Sequence, residues 1–110
     1  MEYIPERGHI TWITLDPQVG HEQMGRRPAL VLSPSSYNEK TGLAIFCPVT
    51  SAIKGYPFEV QLPENYAISG TILSDQIKSL DWKVRKAEYF CTLDIKLFEE
   101  VIDKIKLLVY

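Results

Sequence analysis

The chain has 110 residues, an ordinary length for one domain and enough to bury a hydrophobic core without disulfides or metal ions. Apolar residues make up 45% and charged residues 24%, so the composition excludes a disordered or low-complexity chain. Twelve Lys and Arg against fourteen Asp and Glu give a net charge of −2, which by itself argues against a polyanionic partner. We therefore expect residues 1–110 to form a single domain.

The N-terminal sequence and the cysteines predict a reduced, cytoplasmic protein. The opening segment MEYIPERGHI is polar and has no apolar run of the kind that a secretion signal requires. Every apolar stretch is interrupted by charge, Gly or Pro well before the roughly 18–20 residues that span a bilayer. Cys47 and Cys91 lie far apart without neighbouring histidines, so we expect both to pack as core residues.

Short segments rich in β-branched and aromatic residues predict antiparallel strands along most of the chain. Residues 10–15 form the first predicted strand, and the polar stretch 18–27 that follows it is predicted to be a long loop. The connections of about 4 to 10 residues suit a barrel or sandwich, because parallel strands would need longer crossovers. Further strands are predicted at residues 28–33, 43–49, 58–62, 70–79 and 84–91.

Two helical segments are predicted within this β-rich pattern. After the second strand, SPSSYN indicates a single helical turn capped by serine, and residues 38–42 are predicted to turn the chain. Near the C-terminus, apolar residues recur at helical spacing over residues 93–109. Asp94 is the predicted N-cap, and Leu93 and Phe98 occupy the two positions of a hydrophobic staple. The predicted fold class is mainly β with a C-terminal α-helix.

Motif absences narrow the possible chemistry. The sequence has no phosphate-binding loop, no dinucleotide fingerprint, no Cys-x-x-Cys and no His-Glu-x-x-His motif. Its two histidines, His9 and His21, belong to different segments. We therefore expect no metal site and no nucleotide cofactor.

The long loop GHEQMGRRP contains the densest group of polar residues. Arginine suits phosphate because its planar guanidinium donates two parallel hydrogen bonds and stays charged when desolvated. A carboxylate such as Glu22 close to Arg26 and Arg27 is what RNA cleavage needs, since a base must take the 2′-hydroxyl proton while cations stabilise the phosphorane. The alternative is a surface loop in which Glu22 pairs with either arginine.

Two later segments offer weaker site candidates. PVTSAIKG places two hydroxyls and a lysine after an apolar strand, and its alternative interpretation is a strand end followed by a turn. DQIKSLDWKVRK becomes basic around Trp82, as in grooves that stack bases and neutralise phosphates of single-stranded RNA. Trp82 fits equally a core or dimer residue.

Five blocks occur in an order that strongly resembles the MazF/PemK family of toxin endoribonucleases, with the nearest likeness to its MazF members. The blocks are GHEQMGRRPALVLSP, YNEKTG, CPVT, KGYPFEV and DQIKSLDW, and they extend over nearly the whole chain. The resemblance implies a small SH3-like (CcdB/PemK-type) antiparallel β-barrel that forms a homodimer. It also implies a metal-independent enzyme that cuts single-stranded mRNA at a short sequence and is neutralised by a MazE-type antitoxin.

The resemblance places the family's catalytic residues on Glu22, Arg27 and Thr50. In the implied mechanism, a 2′-hydroxyl attacks the phosphate, which leaves a 2′,3′-cyclic phosphate and a 5′-hydroxyl. Arg27 and Thr50 would contact that phosphate, whereas Glu22 would be the general base or would only orient Arg27. His21 stands where some relatives have serine and is not assigned a catalytic role. RNA contacts are expected from Arg26, Lys54, Gln76, Lys78, Ser79 and Arg85.

Two rival functions share the predicted fold. The first is a gyrase-poisoning toxin, which binds a protein target without cutting RNA, because a fold does not by itself determine a function. In that group, as the resemblance has it, the tip of the C-terminal helix contacts the target and ends in tryptophan, whereas this chain ends in LLVY. The second rival is an RNA-binding barrel without catalysis.

Overall fold

The computed structural model describes residues 2–15 and 25–110 of the chain. Within this part, seven antiparallel strands form one sheet with the spatial order β4-β5-β3-β2-β1-β7, and β6 pairs with β3 beside this path. The strands are β1 (His9–Thr14), β2 (Arg26–Val31), β3 (Leu43–Thr50), β4 (Glu59–Gln61), β5 (Thr71–Leu73), β6 (Lys78–Asp81) and β7 (Glu88–Thr92). The helices are α1 (Ser35–Thr41) and α2 (Ile95–Val109).

This architecture confirms the predicted mainly β fold with a C-terminal helix. The predicted barrel is not fully closed. Among the described residues no ladder joins the end strands β4 and β7, so the sheet is open there. In the same part of the chain, neither helix is long and apolar enough to cross a membrane. β2 begins at Arg26, so the predicted loop ends earlier than residue 27.

β3 organises the sheet because it pairs along both edges. One edge carries β2, and the other carries β6 opposite residues 43–46 and β5 opposite residues 49–50. The prediction of one continuous strand over residues 70–79 was therefore wrong. The Leu32 N–H donates to the Ile45 carbonyl over 2.7 Å on the β2 edge, so alternation directs the backbone of Pro48 to the other edge. Proline has no N–H to donate there, and residues 74–77 leave the ladder.

The predicted strand at residues 84–91 begins later, as β7. The Asp81 carboxylate accepts the N–H groups of Lys83 and Val84 at 3.0 and 2.9 Å, which forms a turn directly after β6. Lys86 then adopts a left-handed φ of 56°, and this conformation does not belong to a strand. Both features delay the extended backbone until Glu88.

Two apolar clusters cover opposite faces of the sheet. Leu30 and Val31 are neighbours in β2 but belong to different clusters, as strand alternation requires. The cluster packed on α2 includes Ile10, Leu30, Val49, Ile72, Phe98, Val101 and Ile105. The second includes Ile13, Ala29, Val31, Ala44, Phe46 and Trp82. Trp82 is 4% exposed, so it is a core residue and leaves no open ring for RNA to stack on.

The C-terminal helix begins and packs as predicted. Asp94 is the N-cap, and its carboxylate accepts the Lys96 N–H at 3.3 Å. Leu93 and Phe98 are both buried in the cluster beneath α2, consistent with the predicted staple. The last residues of the helix are exposed, so this end of α2 projects beyond the core.

The prediction of one serine-capped turn before β3 was wrong. α1 has seven residues, its N-cap is Pro34, and no side chain of the cap residue bonds to the helix. Glu6 takes that role from a distant part of the chain, accepting the N–H of Ser35 at 2.8 Å and its hydroxyl at 3.0 Å. The bond from the Ser35 N–H lowers the pKa of Glu6. The helix continues through Thr41 and ends at Gly42, whose φ is 76°.

Asn38 of α1 is fully buried at the centre of a polar network. Its side-chain amide donates to the Pro5 carbonyl at 2.8 Å, and its side-chain oxygen accepts from the Ser33 hydroxyl at 2.6 Å. The Ser33 hydroxyl in turn accepts the N–H of Ile45 at 2.9 Å, and the Trp82 indole donates to the Asn38 carbonyl at 2.9 Å. One side chain therefore ties together the N-terminal segment, α1 and β3.

We expect Asn38→Ala to lower the free energy of unfolding by about 2–4 kcal/mol, because it leaves several buried polar groups without a hydrogen-bond partner. Urea unfolding measures the effect. Asn65→Ala is the matched control, since Asn65 is exposed in a turn, and it should change stability by less than about 0.5 kcal/mol. Equal effects of the two substitutions would contradict this role of Asn38.

Candidate active site

A cavity of about 220 Å³ opens where β3 and β5 lie side by side. The α2-packed cluster contains Val49 and Ile72, so their neighbours Thr50 and Leu73 face the opposite side of the sheet by strand alternation. The cavity is lined by Thr50, Ala52, Lys54, Tyr56, Glu59, Leu73, Asp75 and Gln76. It thus brings together three of the predicted site residues, which are Thr50, Lys54 and Gln76.

Thr50 is held by backbone on both sides. Its Oγ1 accepts the Ala52 N–H at 3.1 Å, so the hydroxyl proton stays free to donate to a ligand. On the other side, Gly70 approaches so closely that a Cβ atom there would lie 2.3 Å from the Thr50 carbonyl oxygen. Gly70 also has a φ of 124°, which L side chains rarely adopt. Only glycine fits behind Thr50 without displacing it.

Glu59 fixes the loop that carries Lys54. Its Oε1 accepts the Gly55 N–H at 2.9 Å, and both carboxylate oxygens lie 3.3 Å from the Lys54 N. Gly55 has a φ of 79°, so the loop turns sharply at this point. The contacts hold the Lys54 backbone at the cavity rim while its side chain remains exposed.

Arg27 lies on β2, exposed and paired with Ile13 of β1. On the other side of β2, Ala29 pairs with Pro48 of β3. This is the last pair of the ladder, and Arg27 and Thr50 each lie two residues beyond it, so by strand alternation both face the same side of the sheet. The two side chains predicted to contact the phosphate therefore lie on the same face, near the ends of two adjacent strands. Glu22 and His21, which belong to the preceding loop, lie outside the described residues.

Arg26 points into a different set of contacts. Its guanidinium donates to the carbonyls of Arg85 at 3.0 Å and Lys86 at 2.8 Å, and forms an ion pair with Glu88 at 3.1 Å. Arg85 in turn donates to the Thr14 carbonyl at 2.9 Å. Both arginines thus fasten the ends of the segments that flank residues 16–24. Their predicted RNA contacts remain predictions.

The remaining predicted RNA contacts lie on β6. Lys78 and Ser79 are exposed and pair with Phe46 and Ile45 of β3. They follow Gln76 after the break in the ladder, next to the cavity in sequence but outside its lining. The structure therefore divides the predicted basic residues between the cavity side of β3 and the contacts around Arg26.

Three of the cavity residues with polar side chains had no predicted role: Tyr56, Glu59 and Asp75. The first two belong to the block KGYPFEV and the third opens DQIKSLDW, so the blocks were the available signal. Beneath the cavity, burial and then the charge of Asp75 raise the pKa of the Cys47 thiol to about 12. Cys47 is fully buried, which confirms its predicted packing role.

Residues 6–109 match the model of a PemK-like, MazF-like toxin family of type II toxin-antitoxin systems. The chain belongs to this family. Among characterised PemK/MazF proteins, it is 42% identical to the endoribonuclease toxin MazF of Escherichia coli K12, over 97% of this chain and 96% of the relative. It is 33% identical to the endoribonuclease PemK of Escherichia coli, over 91% of this chain and 78% of the relative.

Solved structures of the PemK/MazF family agree with this fold. A crystal structure of MazF from Deinococcus radiodurans superposes with a TM-score of 0.88 at 51% identity, over 98% of both chains. In a MazE-MazF complex from the same organism, a chain superposes with a TM-score of 0.87 at 45% identity, over 98% of this chain and 97% of that one. The predicted resemblance is confirmed.

Gly70→Ala should destabilise the protein more than Gly42→Ala does. Both glycines have positive φ, so each alanine carries backbone strain of about 1–2 kcal/mol, but only at Gly70 does the new Cβ meet backbone. Urea unfolding compares stability, and the amide chemical shifts of Thr50 and Ser51 report displacement. Equal destabilisation with unmoved Thr50 shifts would rule out the close approach.

Proposed function

We propose that this protein is the toxin of a type II toxin-antitoxin system and cuts single-stranded mRNA at a specific sequence without a metal ion. The observation that carries the proposal is the cavity that brings Thr50, Lys54 and Gln76 together, with Arg27 exposed on the same face of the sheet. The relatives named MazF and PemK are endoribonucleases, which supports the same activity here.

The proposed reaction is a transesterification within the RNA. A base removes the 2′-hydroxyl proton, the oxygen attacks the phosphorus, and the bond from phosphorus to the 5′-oxygen breaks. The products are a 2′,3′-cyclic phosphate and a 5′-oxygen that takes up a proton. Glu22 is proposed as the base or as the group that orients Arg27.

Arg27 and Thr50 suit the charge that develops at phosphorus. The planar fork of the Arg27 guanidinium can bond two phosphate oxygens at once. The Thr50 hydroxyl already accepts the Ala52 N–H, so its own proton is directed to an incoming oxygen. Donors fixed in advance stabilise such a transition state because they need no reorganisation during the reaction.

A homodimer and a MazE-type antitoxin complete the proposal. The solved MazE-MazF complexes of the Deinococcus radiodurans relatives support an antitoxin partner for this chain. A MazE-type antitoxin would bind through a tail that is disordered and acidic-hydrophobic when free. This tail would fold along the toxin and cover its cationic groups. A dimer would extend the RNA groove beyond one chain.

Wild-type protein should cut single-stranded RNA in EDTA, and Arg27→Ala should cut it at least about 100-fold more slowly while still folding. The cleavage rate of Arg27→Lys should fall between those of wild type and Arg27→Ala, because lysine keeps the charge but loses the planar guanidinium that donates two parallel hydrogen bonds. Gel analysis of labelled RNA measures the rates. Arg7→Ala is the matched control, since Arg7 is an exposed arginine whose Nε donates to the Leu32 carbonyl at 3.0 Å.

Intact RNA after incubation with wild-type protein in EDTA would contradict the nuclease. If the same preparation stopped gyrase turnover, the gyrase-poisoning alternative would replace it.

A MazE-type tail peptide in excess should raise the melting temperature, because a ligand that binds only the folded state stabilises it by mass action. Differential scanning fluorimetry measures the shift, with a scrambled peptide of equal charge as the control. An unchanged melting temperature at saturating peptide would count against this partner.

A further inference from the structure

We propose that the cavity beside Thr50 binds one RNA base next to the cleaved phosphate, and that Asp75 makes it prefer bases with an exocyclic amino group over uracil. The inference rests on the proposed ribonuclease function and extends it to the choice of substrate.

The size and walls of the cavity suit a single base. Its volume of about 220 Å³ is below the roughly 300–1,000 Å³ of pockets that hold drug-sized ligands. Tyr56 stands at the rim with 62% of its surface exposed, and aromatic rings of this kind stack on unpaired RNA bases. Ala52 and Leu73 add apolar surface.

The position of Thr50 relates this base to the reaction. Thr50 lines the cavity, and Arg27 lies on the same face of the sheet, two residues before the Ala29–Pro48 pair as Thr50 lies two residues after it. A phosphate held by these two residues has its own nucleotides as immediate neighbours, and one of their bases reaches the cavity. The cavity therefore binds the base of a nucleotide that directly flanks the cleaved bond.

The two cavity carboxylates have different tasks. Glu59 is occupied by the N–H groups of Lys54 and Gly55. Asp75 is exposed and makes no hydrogen bond or ion pair to another side chain or backbone group in the described part of the chain, so its oxygens are open to a ligand. Gln76 next to it contributes an amide that both donates and accepts.

The chemistry of Asp75 sets the direction of the preference. An ionised carboxylate only accepts hydrogen bonds. Adenine, cytosine and guanine each carry an exocyclic amino group that donates, whereas uracil presents carbonyl oxygens on both sides of its single N–H. A carboxylate facing uracil therefore meets oxygens that repel it, and discrimination of this kind amounts to about tenfold or more.

The experiment uses RNA oligonucleotides that differ only at the nucleotides flanking the cut. Wild-type protein should cut substrates with uridine at one flanking position at least about tenfold more slowly than their counterparts. In Asp75→Asn, whose amide can donate to uracil, that difference should shrink to within about threefold, and other positions should keep their preferences. Asp103→Asn on the exposed face of α2 is the matched control and should match wild type.

Retention of the wild-type preferences by Asp75→Asn at every position would overturn the inference, as would equal cutting of uridine substrates by wild type. A wild-type protein that cuts no RNA would instead overturn the proposed function, and the base site is then decided by a binding measurement. AMP, CMP and GMP should shift the NMR signals of the Tyr56 ring and the Gln76 amide at lower concentrations than UMP. Equal or absent shifts would overturn the inference.

Discussion

Pro48 has no N–H for the strand beside it, and this one missing donor shapes the functional side of the molecule. On one edge β3 pairs with β2 through Pro48, but on its other edge pairing with β6 ends at Phe46 and pairing with β5 begins at Val49. The residues released between them include Asp75 and Gln76, which come to lie next to Thr50. A constraint on backbone pairing in the core thus brings side chains together at the surface.

The contacts of individual basic residues say more about a possible RNA partner than the net charge of the protein does. The net charge of −2 suggested no affinity for RNA, yet basic residues predicted to contact RNA differ in their surroundings. Arg26 and Arg85 donate to backbone carbonyls and hold the chain on either side of residues 16–24. Arg27 and Lys54 keep exposed side chains near Thr50. Exposed side chains such as these are open to neutralise phosphate, so the net charge alone misleads.

The sequence predicted those features that depend on neighbouring residues. The periodicity of α2, its Asp94 cap and most strand positions depend on local pattern, and they were confirmed. The predicted cap of α1 was wrong because the bond to the Ser35 N–H comes from Glu6, which is 29 positions away in the chain. The sequence blocks predicted Thr50, Lys54 and Gln76, which line one cavity, whereas the positions of Glu59 and Asp75 in that cavity depend on a loop and a broken ladder that no local spacing encodes.

The backbone support of Thr50 has a consequence for how such enzymes diversify. Thr50 is positioned by the Ala52 N–H and by the close approach of Gly70, and neither contact uses the side chain of another cavity residue. Replacing Tyr56 or Asp75 therefore leaves the Thr50 hydroxyl in place. In the proposed mechanism, chemistry and substrate choice are separable, and evolution can change the sequence that is cut without rebuilding the catalytic centre.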